Sequence, residues 1–115
     1  MKKIYHLGSC STNIRILKEL NLENVELQDI KKKPMSESEV EELKNLAGSY
    51  EALFSRKAMK YRSLELNKKT LSENDYKSHI IKEYTFLKRP VAIVDGEIFI
   101  GNSKKNVEAL KAKLF

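Results

Sequence analysis

Two runs with strand composition, Val91-Ala92-Ile93-Val94 and Glu97-Ile98-Phe99-Ile100, flank the dipeptide Asp95-Gly96. This pattern predicts an antiparallel hairpin, because Asp-Gly suits the two positive-φ positions of a two-residue turn. At the other end, Ile4 to Leu7 reads as a short strand. Residues 11–20 then place Ile14, Leu17 and Leu20 at near-helical spacing, with Asn21 as a stop. Asn24 to Ile30 reads as a second strand, with Val25, Leu27 and Asp29 alternating against Glu26, Gln28 and Ile30. A strand–helix–strand unit of this length predicts a right-handed parallel crossover. The chain therefore has to build an α/β sheet of mixed direction.

The stretch between these two units is predicted to be helical. Ser36 and Glu39 form a capping box, Met35 and Val40 a hydrophobic staple, and Gly48 stops the helix after Val40, Leu43 and Ala47. The pattern recurs at Leu71, Ser72, Asp75 and Tyr76, opening a helix to about residue 84. His79 falls on that helix and reads as a surface or core residue. Gly101-Asn102-Ser103 turns the chain into a closing helix with Val107, Leu110 and Leu114 on one face. With no repeat, low-complexity segment or linker, residues 1–115 read as one domain with a helical insertion at about 35–86.

The net charge of +6 raises the question of nucleic acid. The basic residues are spread over Lys31 to Lys33, Arg56 to Arg62, Lys68-Lys69, Lys88-Arg89 and the last helix. No aromatic-interleaved basic face or zinc-ligand pattern accompanies them, so no nucleic-acid partner and no metal is expected. No apolar run approaches the roughly 20 residues of a membrane span. Met1-Lys2-Lys3 is followed only by Ile4 to Gly8 before polar residues resume, too short for a secretory signal. A single cysteine makes no internal disulfide, and the cytoplasm is the expected compartment.

That cysteine, Cys10, stands where the first strand gives way to Ser11-Thr12-Asn13 and the first helix. Free N–H groups and the positive dipole end at a helix N-terminus favour an anion, so a thiol there ionises more readily, and the thiolate is the nucleophile. The alternative is a small apolar filler, since free cysteine is often buried.

Four segments in order carry a resemblance. Tyr5-His6-x-x-x-Cys10 resembles the Y-H-N-P-x-C opening of arsenate reductases. Tyr50 to Arg56 resembles the segment bringing an anion-binding arginine. Leu87-Lys88-Arg89-Pro90 resembles the I/L-x-R-P signature, and Ile98 to Ser103 the closing hairpin and helix start. Over nearly its whole length the chain resembles the arsenate-reductase-like (ArsC/Spx) family of thioredoxin-fold proteins. The resemblance implies a thioredoxin-like fold with a helical insertion between an N-terminal βαβ unit and a C-terminal ββα unit.

For the site, the resemblance implies Cys10 as the catalytic thiolate and Arg56 and Arg89 as substrate-binding guanidiniums. Pro90 would be structural, behind a cis peptide bond. Ser11, Thr12, Asn13 and His6 would stabilise the thiolate, although Ser11, Thr12 and Asn13 also read simply as helix-capping residues. The implied activity is a thiol oxidoreductase that binds no cofactor tightly and uses glutathione as co-substrate. It would attack arsenate or, equally, a disulfide, with glutathione or glutaredoxin clearing the sulfur. Three departures refine this. No second cysteine accompanies Cys10-x-x-Asn13, so an outside thiol must resolve any disulfide. Arg89 is the last arginine in the chain, leaving the closing hairpin without the further arginine of arsenate reductases. Asn13-Ile14-Arg15 replaces the usual serine–arginine pair. The alternative implied by the same resemblance is an Spx-like transcriptional regulator that binds RNA polymerase.

Overall fold

A computed structural model describes residues 1–115. The chain divides into two compact units, one of Met1–Pro34 with Arg89–Phe115 and one of Met35–Lys88.

The first unit is built on a four-stranded sheet in the order β2-β1-β3-β4. Its strands are β1 (Lys2–His6), β2 (Glu26–Asp29), β3 (Val91–Val94) and β4 (Glu97–Ile100). The helix α1 (Ser11–Glu19) links β1 to β2, and α5 (Lys104–Leu114) closes the chain. As the crossover predicts, β1 and β2 are parallel, with His6 paired to Asp29; β3 runs antiparallel to β1, with Tyr5 paired to Val91. Asp95 and Gly96 take φ of 49° and 87°, the two positive values that the hairpin turn requires. One face of the sheet packs Ile4, Ala92 and Val94 against Ile16 and Leu20 of α1 and Val107, Leu110 and Leu114 of α5.

Two expectations need correction. The inward stripe of α1 runs through Asn13, Ile16, Leu17 and Leu20, while Ile14 is 41% exposed. Both stripes fit a helical period, and the all-apolar one is the stronger signal in the sequence although the buried one carries an amide. On β2, where the alternation leaves the inward face open, the set of Gln28 and Ile30 is the buried one. Gln28 is buried, its Nε2 donating to the Lys33 carbonyl at 3.0 Å, whereas Leu27 is 43% exposed on this edge strand. The helix begun by Ser72 ends at Lys82, and Tyr84 belongs to a separate 3-10 turn.

The second unit contains α2 (Glu37–Ala47), the short α3 (Met59–Ser63) and α4 (Glu73–Lys82). Both capping boxes form: Ser36 with Glu39, and Ser72 with Asp75. Gly48 closes α2 at φ 96°, a conformation a side chain would oppose. Lys77 of α4 reaches Glu37 at 2.7 Å and Glu41 at 3.0 Å, tying α4 to α2, and these carboxylates hold its ammonium firmly protonated. At the centre is Phe54, fully buried, stacked on Phe86 at 5.1 Å and tilted against Tyr76 at 4.9 Å. Lys88 N–H donates to the Leu53 carbonyl at 2.8 Å and Phe54 bridges to Leu87, so the C-terminal end of this unit pairs back onto its middle. His79 lies against Phe54 and Phe86, a packing position.

Candidate active site around Cys10

The carboxyl ends of the parallel strands β1 and β2 lie side by side, the place where open α/β sheets leave their functional loops. From His6 the chain runs through Leu7, Gly8 and Ser9 to Cys10, which is the N-cap residue of α1 and partly exposed. The loop is closed by Cys10 N–H donating to the Leu7 carbonyl at 3.0 Å. No side chain caps α1, so the first N–H groups of the helix stay available beside the sulfur.

Asn13 decides the local chemistry. It is fully buried, and its Oδ1 accepts the Leu7 N–H at 2.9 Å. That bond fixes which way the amide faces, because only the oxygen can accept. The Nδ2 group therefore faces Cys10, 3.6 Å from Sγ. Of the three residues after Cys10, Asn13 alone puts a side-chain donor on the sulfur. Ser11 is exposed, Thr12 is partly buried, and neither side chain caps the helix.

His6 ends β1 with its Nδ1 buried and without a hydrogen-bond partner. Burial pushes the imidazole below its usual range, and the neighbouring Asp29 charge offsets this only partly. Asp29 itself is pushed up by partial burial, but hydrogen bonds from the Lys31 and Gly8 N–H groups, with the His6 and Lys32 charges, outweigh that and hold it below the usual range. Both shifts have the same sign for stability. The unfolded chain binds more protons, so stability is lost as pH falls from the unfolded to the folded value of each group. The His6 contribution is complete above about pH 6.5 and is lost as pH drops below it, while Asp29 acts below about pH 4. Urea unfolding at pH 7.5 and 5.5 checks the first window: His6→Gln should lose measurably less stability over that interval than the wild type. An equal loss in both would dismiss His6 as the cause.

Pro90 follows a cis peptide bond from Arg89, as the resemblance implies. Its carbonyl accepts the Gly101 N–H at 2.8 Å. Continuing the β1–β3 register one step beyond Tyr5 and Val91 sets Pro90 opposite His6. The backbone of Arg89 and Pro90 thus enters the sheet at the end from which the Cys10 loop leaves. Arg56 lies in the other unit. There its guanidinium donates to Glu51 at 2.7 Å and to the Tyr76 hydroxyl at 3.0 Å, contacts that keep it charged. No cluster of His, Cys, Asp or Glu able to hold a metal is present.

A family model described as the ArsC family matches residues 5–110. The chain belongs to the ArsC family. Solved structures agree on the thioredoxin-like fold. The arsenate reductase of Vibrio cholerae superposes with a TM-score of 0.76 at 20% identity, covering 99% of this chain and 97% of that one. An arsenate reductase (ArsC) related protein of Brucella melitensis gives 0.71 at 21% identity, covering 94% and 92%. A Staphylococcus aureus protein gives 0.73 at 25% identity, covering 95% and 97%. None of the curated proteins matches the sequence. Within this ArsC-family chain, no helix is long and apolar enough to cross a membrane.

Proposed function

We propose that this ArsC-family protein is a cytoplasmic thiol oxidoreductase in which Cys10 is the only reacting sulfur. The observation that carries the reading is the amide of Asn13, locked by Leu7 so that Nδ2 faces Sγ at 3.6 Å, at the open N-terminus of α1. A donor held in place before the reaction stabilises an anionic sulfur without reorganising. Cys10 as thiolate attacks one sulfur of a disulfide substrate, forming a mixed disulfide and expelling the other sulfur as thiolate. Since the chain has no second cysteine, a glutathione thiolate then attacks the mixed disulfide. A new disulfide leaves with glutathione, and Cys10 is regenerated as thiolate. Glutaredoxin, or glutathione alone, serves as the outside reductant.

Arsenate is the other substrate class: Cys10 displaces a hydroxyl at arsenic as water. A glutathione thiolate then attacks the Cys10 sulfur so that the S–As bonding pair leaves with arsenic as arsenite, and a second glutathione or glutaredoxin thiol resolves the Cys10–glutathione disulfide that remains. Arg89, which enters beside the end of β1, offers a fork of donors for an oxyanion or for glutathione carboxylates. Intact-mass measurement of reduced protein exposed to oxidised glutathione tests the reading. One glutathione adduct is expected on the wild type and none on Cys10→Ser. No adduct on the wild type, or an undiminished one on the serine variant, would refute it.

A further inference from the structure

Gly8 is the only glycine of the chain whose φ is not in the left-handed region; Gly48, Gly96 and Gly101 all are. Its lack of a side chain therefore has another cause, which lies in its neighbour Asp29. A Cβ at Gly8 would stand 2.3 Å from Asp29 Oδ2, 3.2 Å from Cγ and 3.9 Å from Oδ1, and these are the three nearest atoms. The space a side chain would fill is taken by the Asp29 carboxylate. That carboxylate accepts the Gly8 N–H and, through Oδ1, the Lys31 N–H at 3.1 Å. One group at the end of β2 thus holds the turn after its parallel neighbour β1.

We propose that Asp29 is a positioning residue for the reactive cysteine: its carboxylate grips the Gly8 turn and so fixes the loop that presents Cys10 to substrate. The inference rests on Cys10 being the reacting sulfur. Gly8 and Ser9 are the residues spanned by the bond from Cys10 N–H to the Leu7 carbonyl, and Leu7 N–H in turn holds Asn13. Shifting Gly8 therefore disturbs both the sulfur and the amide that faces it. A negative carboxylate adds nothing to a thiolate by charge, so the contribution of Asp29 is geometric. The carboxylate serves two N–H groups, and an asparagine at 29 gives up one of the two acceptor oxygens.

The test is a double-mutant cycle read by two reactions of Cys10, alkylation by iodoacetamide and adduct formation with oxidised glutathione, each followed from pH 5 to 9. Asp29→Ala and Gly8→Ala should each lower the high-pH plateau rate about tenfold, the scale of loss from a displaced reacting group. In the Asp29→Ala background the added methyl meets no carboxylate, so Gly8→Ala should change the rate less than about twofold. Asp29→Asn should fall between wild type and Asp29→Ala, and it keeps the test open should the alanine variant not fold. The proposal is overturned if Gly8→Ala is equally harmful in both backgrounds. It is likewise overturned if the Asp29 variants melt earlier but react at the wild-type plateau rate. A wild type that is alkylated normally yet takes no glutathione would defeat the oxidoreductase reading, while the alkylation arm would still decide the role of Asp29.

Discussion

Asn13→Ala is expected to weaken the protein by about 1–3 kcal/mol, the cost of leaving a buried donor unsatisfied. The same substitution should slow the reaction of Cys10 about tenfold or more, the order seen when one prearranged donor to a developing anion is removed. Two losses coincide because one amide does two jobs. Its oxygen holds the Leu7 N–H at 2.9 Å and its nitrogen faces Sγ at 3.6 Å, in a position with no exposure to solvent. Water cannot replace either bond there without entering the core. Urea unfolding reads the first effect and the rate of iodoacetamide alkylation at pH 7 the second. Ser11→Ala is the control: that hydroxyl is exposed and caps nothing, so both readings should match the wild type closely. An Asn13→Ala protein that reacts as fast as the wild type would remove the amide from the mechanism.

The largest loss of stability is expected from Phe54→Ala, about 3–5 kcal/mol. Phe54 is fully buried and its ring contacts Tyr61, Tyr76, His79 and Phe86. Truncation leaves a cavity among side chains that are themselves fixed by neighbours, so the hole cannot easily collapse. The backbone on either side also closes the Met35–Lys88 unit, with Ser55 N–H donating to the Phe86 carbonyl at 2.6 Å. Against a total stability of about 5–15 kcal/mol this is a large fraction. Met59→Ala provides the contrast. With Met59 91% exposed, its removal should stay within about 0.5 kcal/mol. Chemical denaturation of both variants checks the pair, and a loss under 1 kcal/mol for Phe54→Ala would show that the aromatic cluster repacks.

Sequence signals match the structure wherever the physics is local. The Asp95-Gly96 turn, both capping boxes and the Gly48 stop depend on residues within four positions of each other, and all are present. The placement of Cys10 at the start of α1 follows from the same kind of signal. Phase was harder to read. On α1 two faces compete and the more apolar one carries Ile14, which is exposed; on β2 the alternation names two sets without saying which faces the core. The structure instead buries Asn13, whose amide oxygen accepts the Leu7 N–H and so offsets its desolvation, and Gln28, whose Nε2 is bonded to the Lys33 carbonyl while its Oε1 is left without a partner. Asn13 was legible as a cap or sulfur donor, but nothing in the sequence said which.

By itself, then, the order of residues determined the element types, the mixed sheet and the position of its one thiol, since periodicity, turn chemistry and crossover handedness are short-range or topological constraints. Only the tertiary structure decided which atoms surround that thiol. The Asp29 carboxylate at Gly8 joins groups about twenty residues apart that become neighbours when β1 and β2 pair. The Asn13 amide owes its orientation to the Leu7 N–H, a donor that is free or satisfied only once the loop is folded. Distances of this kind are set by chain pairing and packing, and a linear pattern carries no record of them.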